Sequence, residues 1–318
     1  MIREARNRPA PEEIERFVRS FPEATFFHTP AWLEPLAESF PSFDVFWLAE
    51  REAGGLAAAM PVARVARGPF FHLHALPFGA YGDPLARSDA AREALFERFF
   101  ALARSPRCLT ARVHCFGGRA PAVLPRGASI LAEECSLVPL DGGIEEVWRR
   151  TSSKRRQLAR RAERAGAVAR LLESEEEVRR LHAIYAGQSR TWGGVHPYPE
   201  RFFLELWRRR AEGVAVVGAF LGGELLGGHV DLFYGRMAQA WQGGMTARGN
   251  EHEAGSLCAR KGMEIACERG MRVFNLGSSA GDRGIALFKE SLGGEEYSYA
   301  VLSARGAAGL LLGRGKRW

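Results

Sequence analysis

The alternation of apolar and polar positions divides the chain into short helices and strands whose order repeats. Residues 11–20 and 31–39 read as short helices, the second opening at Thr29-Pro30, because proline is tolerated in a helix's first turn. Asp44 to Glu50 (DVFWLAE) and Leu56 to Val65 (LAAAMPVARV), joined by a charged, glycine-rich turn, read as a β-hairpin. A third strand at Phe70 to Leu76 is followed by the loop PFGAYGDP, Pro77 to Pro84. An amphipathic helix then runs to Arg104 with Ser88 as its N-cap, and Leu109 to Cys115 is the next strand.

Shifted by about 170 residues, the same order returns. Phe202 to Trp207 end a helix, Val214 to Phe220 form a strand, Leu221 to Glu224 a turn and Leu225 to Tyr234 the return strand. Met237 to Met245 is the third strand, Glu253 to Arg269 a helix and Arg272 to Leu276 a further strand. Strand, strand, strand, helix, strand thus occurs twice with turns at matching places. That predicts an α/β (α+β) fold made of two copies of one unit, with mixed sheets flanked by helices. Between the copies, Thr151 to Gly166 (TSSKRRQLARRAERAG) reads as a helix with serine at its start and glycine at its end.

Composition changes this picture little, and charge changes it at one place. With 46% apolar and 25% charged residues in 318, disordered, collagen-like and fibrous classes are excluded. Residues 1–140 carry 16 basic and 16 acidic side chains, whereas residues 148–166 carry eight basic and one acidic, equal to the whole net charge of +7. A local stripe of this kind predicts one anionic partner at one place rather than general coating of nucleic acid. A solvated basic helix is the competing reading, although like charges three and four residues apart repel by about 0.2–0.5 kcal/mol per pair, which an anionic ligand would relieve. The first residues lack a signal-peptide core and no apolar run is long enough for a membrane span, so a cytoplasmic protein is expected. Five cysteines without a CxxC pair signal neither disulfides nor zinc.

Six stretches occur in an order that resembles a known family: FFHTPAWLEPL, the loop LPFGAYGDP, SSKRRQLARRAERAG, SRTWGGVHPYPERFF (Ser189 to Phe203), ACERGMRVFNLGSS (Ala266 to Ser279) and GIALFKESLGG (Gly284 to Gly294). With the duplicated unit, they resemble tandem GNAT (Gcn5-related N-acyltransferase) folds, and in detail the FemAB-type peptidyl transferases and their GNAT-like relatives. The resemblance implies transfer of an amino acid from aminoacyl-tRNA, or of an acyl group from a thioester, to an amine; the best-known members build peptidoglycan cross-bridges of the cell wall. It implies a GNAT-like domain over residues 1–145, a second over 146–303 opening with the basic helix, and a basic tail over 304–318.

Amine acylation needs a held donor, an unprotonated amine and stabilisation of the oxyanion formed on attack. Deprotonating a lysine-like amine at pH 7 costs about 4.6 kcal/mol. The amine is itself the nucleophile, so no Ser/His/Asp triad is required. The resemblance gives the oxyanion role to the Phe288-Lys289 pair, since a cation aimed at developing charge lowers a barrier by several kcal/mol. A surface lysine paired with Glu290 or Glu295 is the alternative. The loop before it, Gly277 to Gly284, offers the backbone N–H groups of Gly277, Ser278 and Ser279 as an anion nest with Arg283 adding charge, a plain turn being the alternative.

A thioester-using GNAT carries an Arg/Gln-x-x-Gly-x-Gly/Ala run that cradles pyrophosphate on helix N–H groups. Thr246 to Leu257 retains only fragments of it, with Arg248 and Asn250 as candidates, so standard coenzyme A binding is not expected and a polynucleotide-linked donor is favoured. Arg155 and Arg156 on the basic helix are the expected phosphate contacts. Arg190, Trp192, His196 and Tyr198 lie in a Gly/Pro-broken segment suited to substrate recognition, with Gln242 and Tyr81 as further cleft candidates. His229 and Asp231 share a strand face as a base pair or a core histidine, and His72 and His74 share another without a third metal ligand.

The expectation is an N-acyltransferase without a tightly bound cofactor or metal, moving an aminoacyl group from charged tRNA to a peptidoglycan precursor, peptide or other small amine. Transfer from acyl-CoA or a carrier-protein thioester, or a non-catalytic duplicate that binds an anion or RNA, are the alternatives.

Overall fold

The computed structural model describes residues 9–117, 120–124, 127–191 and 198–311. In chain order these form α1 (Pro11–Arg19), α2 (Pro30–Ser39), β1 (Phe43–Glu52), β2 (Gly55–Arg67), β3 (Phe70–His74), β4 (Leu85–Ala86), α3 (Asp89–Ala103), β5 (Cys108–Cys115) and β6 (Ala128–Pro139). They continue with α4 (Gly143–Arg150), α5 (Ser153–Arg164), β7 (Ala167–Leu171), α6 (Glu175–Ser189), α7 (Glu200–Arg208), β8 (Val214–Leu221), β9 (Glu224–Tyr234) and β10 (Met237–Met245). Then follow α8 (Ala247–Glu251), α9 (Ala254–Glu268), β11 (Val273–Asn275), α10 (Arg283–Ser291), β12 (Glu295–Arg305) and α11 (Ala307–Leu311). Among the described residues no helix is long and apolar enough to cross a membrane.

Two compact units result, one of Met1–Glu133 with Ser298–Trp318, the other of Glu134–Tyr297. The sequence placed its breaks at 145/146 and 303/304. The breaks fall instead inside β6 and inside β12, because each of these long strands begins in one unit and ends in the other. The expected C-terminal tail accordingly begins with the end of β12 and α11, which belong to the first unit.

In the first unit β1 and β2 are antiparallel, β2 and β3 antiparallel, β3 and β5 parallel, and β12 lies antiparallel on β5. A parallel neighbour needs a crossover, and α3 supplies it. Ser88 caps α3, its side chain accepting from Ala91 N–H, as the pattern predicted. Leu95, Phe96, Phe99 and Phe100 of that helix are buried with Met60, Val62, Leu73, Ala111 and Val113 of the strands. Each such side chain contributes about 1.5–3 kcal/mol on burial.

The second unit repeats the plan. β7, β8, β9 and β10 run antiparallel in turn, β10 and β11 are parallel with α9 as crossover, and β6 pairs antiparallel with β11. The core places Met263, Ile265 and Ala266 of α9 with Val217, Leu226, Ala238 and Phe274 of the sheet. The Gly-Gly pairs of β9 and β10 have a packing cause. A Cβ on Gly244 would stand 2.9 Å from the backbone of Tyr185, so α6 lies flush on the sheet there. The basic segment divides into α4 and α5, with Ser152 accepting from Arg155 N–H at the start of α5 and Gly166 at φ +90° just beyond its end.

Candidate active site

The site is built where two parallel strands of the second unit separate. β10 pairs with β11 at only three positions, the last being Gln239 with Asn275. Beyond it β10 runs on to Met245 with a register shift around Trp241, while the chain after β11 keeps to β6, Leu276 N–H donating to Ser136 O and Ser136 N–H to Gly277 O. The buried Asn275 accepts from Gly277 N–H through Oδ1, at 2.8 Å, and fixes the turn that leaves the strand. Gln239, also buried, donates Nε2–H to Ala240 O and has no partner for Oε1 among the described residues.

Across this turn lies α10, started by Asp282 Oδ1 accepting from Ile285 N–H. Lys289 is the buried residue of that helix, 7% exposed, and its Nζ donates to Gly277 O at 2.8 Å and Ser278 O at 2.7 Å. Burial lowers its pKa to about 8, with Cys135 opposing the shift. The surface-lysine alternative is therefore excluded: neither Glu290 nor Glu295 is its partner. Of the nest read from the sequence, Gly277 N–H is already bound, and the carbonyls of Gly277 and Ser278 face a cation, so this part of the loop clamps the lysine. Ser278 Oγ accepts from Ala280 N–H and Ser279 O from Asp282 N–H, both holding the loop's shape, while Arg283 is exposed at the start of α10.

Phe288 connects this clamp to the basic helix. The guanidinium of Arg155 lies 4.7 Å from the centre of its ring. Arg155 also donates Nε–H to Ser291 Oγ at 3.1 Å and Nη1–H to Glu253 Oε2 at 2.6 Å. Arg156 turns to the end of α4 and donates to the carbonyls of Trp148, Arg149 and Thr151. Both arginines expected to meet a ligand phosphate are thus engaged within the chain. Lys154, Arg160, Arg161 and Arg164 are the exposed cations of α5, without an ion-pair partner among the described residues. Gln157, Arg160, Glu163 and Arg164 line an open hollow of about 590 Å³.

The other candidates scatter. Tyr198 and Gln242 come together, the buried Tyr198 hydroxyl being hydrogen-bonded to Gln242 and its pKa raised by burial. Tyr198 stacks with Tyr185 and Phe202 and lies 4.7 Å from the Trp241 ring. Arg190 is exposed at the end of α6. Trp192 and His196 lie outside the described residues. Arg248 pairs with Glu224 at the start of β9, and Asn250 is exposed on the same short helix. Tyr81, in the first unit, is buried between Phe116 at 4.2 Å and the edges of Phe27 and Tyr299. His229 Nε2 lies 3.0 Å from Asp231 Oδ2 beneath α9, against Gly262, and is a core pair. His72 bonds Thr110 Oγ1 at 2.7 Å.

Sequence reasoning passed over Glu253 and the inward course of Arg155. A signal for the latter exists: Ala159 and Ala162, four and seven residues on, are the buried residues of α5, so Arg155 shares their face.

Residues 149–296 match the family model described as an acetyltransferase (GNAT) domain. Among solved structures, FemX matches with a TM-score of 0.68 at 11% identity, over 92% of this chain and 96% of that one. The C-terminal domain (DUF2156) of a putative lysylphosphatidylglycerol synthetase from Agrobacterium fabrum matches with a TM-score of 0.60 at 15% identity, over 95% and 94%. A tandem GNAT protein from the clavulanic acid biosynthesis pathway matches at 0.51 and 15%, over 83% and 84%. None of the curated proteins matches the chain. Residues 149–296 of the second unit thus match a GNAT acetyltransferase domain, and the fold is that shared with FemX and a tandem GNAT protein.

Proposed function

We propose that the second unit transfers an aminoacyl group from an RNA ester to an amine, the acceptor being a peptidoglycan precursor or peptide amine. The observation that carries this reading is the clamp on Lys289 at the parting of β10 and β11. Two of the three N–H groups of its ammonium are spent on carbonyls, which leaves one for the oxygen of a reacting carbonyl. The acceptor nitrogen attacks the ester carbon, the negative charge gathers on the oxygen beside Lys289, the C–O bond to the ribose breaks, and the departing oxygen takes the proton the amine gives up. Phe288 supports the reading by fixing the helix that carries Lys289, and Tyr198 with Gln242 offers a polar contact for the acceptor. Such a donor places the reaction in the cytoplasm.

An RNA donor also accounts for the outer face of α5, whose free cations stand at helical spacings suited to successive phosphates. Arg155 and Arg156 are replaced in this role by Lys154, Arg160 and Arg164. Changing these three to glutamine is expected to lower the slope of log affinity against log salt for tRNA by about 2–3, at about 0.7–0.9 per contact. Filter binding over a salt series reads the slope, and an unchanged slope removes α5 from the interface. Transfer from an acyl-CoA is the second reading, favoured by the family model on residues 149–296. Incubation with aminoacyl-tRNA or acetyl-CoA and a peptide amine, followed by mass spectrometry of the acceptor, decides between them.

A further inference from the structure

Helix α9 begins beside the clamp, and its N-terminal end, where backbone N–H groups and the dipole favour an anion, has a carboxylate of the chain itself at its first turn. Glu253, the N-cap, stands at φ 54° and ψ 30°, a left-handed conformation that a residue with a Cβ rarely adopts. Its carboxylate makes no cap bond to the helix backbone. Oε2 accepts instead from Arg155 Nη1 at 2.6 Å and from Ser256 Oγ at 2.9 Å. Phe288 lies over the same turn: a Cβ on Gly255 would be 3.6 Å from its ring. The side chains of Arg155 and Glu253 are 18% and 22% exposed, so water screens their charges only in part.

A half-buried pair of this kind adds little net stability, because desolvation offsets the attraction. Its effect on an approaching ligand is larger. A diphosphate at this end of α9 would meet the carboxylate and find Arg155 already neutralised. We propose that Glu253 is a specificity-determining residue that bars diphosphate-bearing donors such as coenzyme A from the N-terminal end of α9, with Arg155 held as its counter-ion. The proposal deepens the reading of this unit as an acyltransferase and is tested in binding alone.

Coenzyme A and inorganic pyrophosphate are titrated calorimetrically into the full chain and into Glu253→Gln and Glu253→Gly, with thermal unfolding reporting that each is folded. Glutamine removes the charge and keeps the shape; glycine also relieves the left-handed backbone, so a folding defect in the first variant leaves the second to decide. The unaltered protein is expected to bind both probes no tighter than about millimolar, and the neutral variants about tenfold tighter or more. Adding Arg155→Gln to Glu253→Gln is expected to abolish the gain, since the released guanidinium is what engages the phosphates. Micromolar binding by the unaltered protein, or no gain in either variant, overturns the proposal. Aminoacyl transfer from tRNA is assayed on the same preparations. A gain in coenzyme A affinity without aminoacyl transfer by any of them removes the RNA donor and leaves the role of Glu253 standing.

Discussion

Lys289→Met is expected to lower acyl transfer about a hundredfold or more at pH 7, with little change in KM. In the proposed mechanism the side chain meets the reacting oxygen only as charge develops there, and loss of one such donor typically costs about 10²–10³ in turnover. Methionine keeps most of the volume but leaves the carbonyls of Gly277 and Ser278 without the lysine donor, so thermal unfolding of the variant is measured beside its turnover to separate chemistry from folding. The pH profile supplies a second signature. A pKa lowered to about 8 means that the ammonium is present below pH 8 and disappears above it. Turnover should therefore fall as pH rises through about 8 in the unaltered enzyme, and this limb should be missing from the residual activity of Lys289→Met. Stability should move the other way. Between the folded pKa of about 8 and the ordinary value of 10.5, the unfolded chain binds more protons than the folded one, so this group makes stability rise with pH across that window. Unaltered turnover in the variant, or the same alkaline limb, rules out the assignment.

Gly243→Ala is expected to destabilise the second unit by about 4 kcal/mol or more, lowering its melting temperature by about 10 °C. A Cβ there would run into Gly228 O and stand 2.6 Å from His229 Cβ and 2.7 Å from its Cα. These atoms belong to the neighbouring strand at the paired position, and α6 closes the adjacent Gly244 from the helix side. Relief would need the sheet to open beside the site. Gly187 is the matched control: it is exposed on α6 with open space around it, and alanine there should stabilise by about 0.5–1 kcal/mol through helix propensity. Calorimetric unfolding of both variants gives the contrast, and a neutral Gly243→Ala removes the packing argument.

The duplicated order of elements was legible because it rests on period-two strands, turn residues and caps, all local signals. Ser88 is an instance: one residue predicted the start of α3 and holds it. Resemblance drew attention to Lys289 and Phe288, and the burial of Lys289 fits that proposal, whereas the clamp was not legible, since nothing in Gly277-Ser278 announces that their carbonyls turn inward. Arg155 and Arg156 were misjudged for a different reason. Charge counts ignore azimuth, and one of these adjacent residues faces α9 while the other closes α4. Glu253 gave no local signal, because its left-handed backbone and its pairing with Arg155, 98 residues away, are not written in the neighbouring residues. The unit boundaries moved for a similar cause: β6 and β12 are continuous strands, and sequence pattern does not say to which unit each half belongs.

The return of the chain through β12 has a consequence for synthesis. The strand that completes the first unit by pairing Ala300–Arg305 with Thr110–Cys115 is made only after the second unit. A nascent chain stalled before Ser298 therefore carries β5 as an open edge, able to add a foreign strand. The first unit therefore closes only in a chain that has already produced residues 134–297.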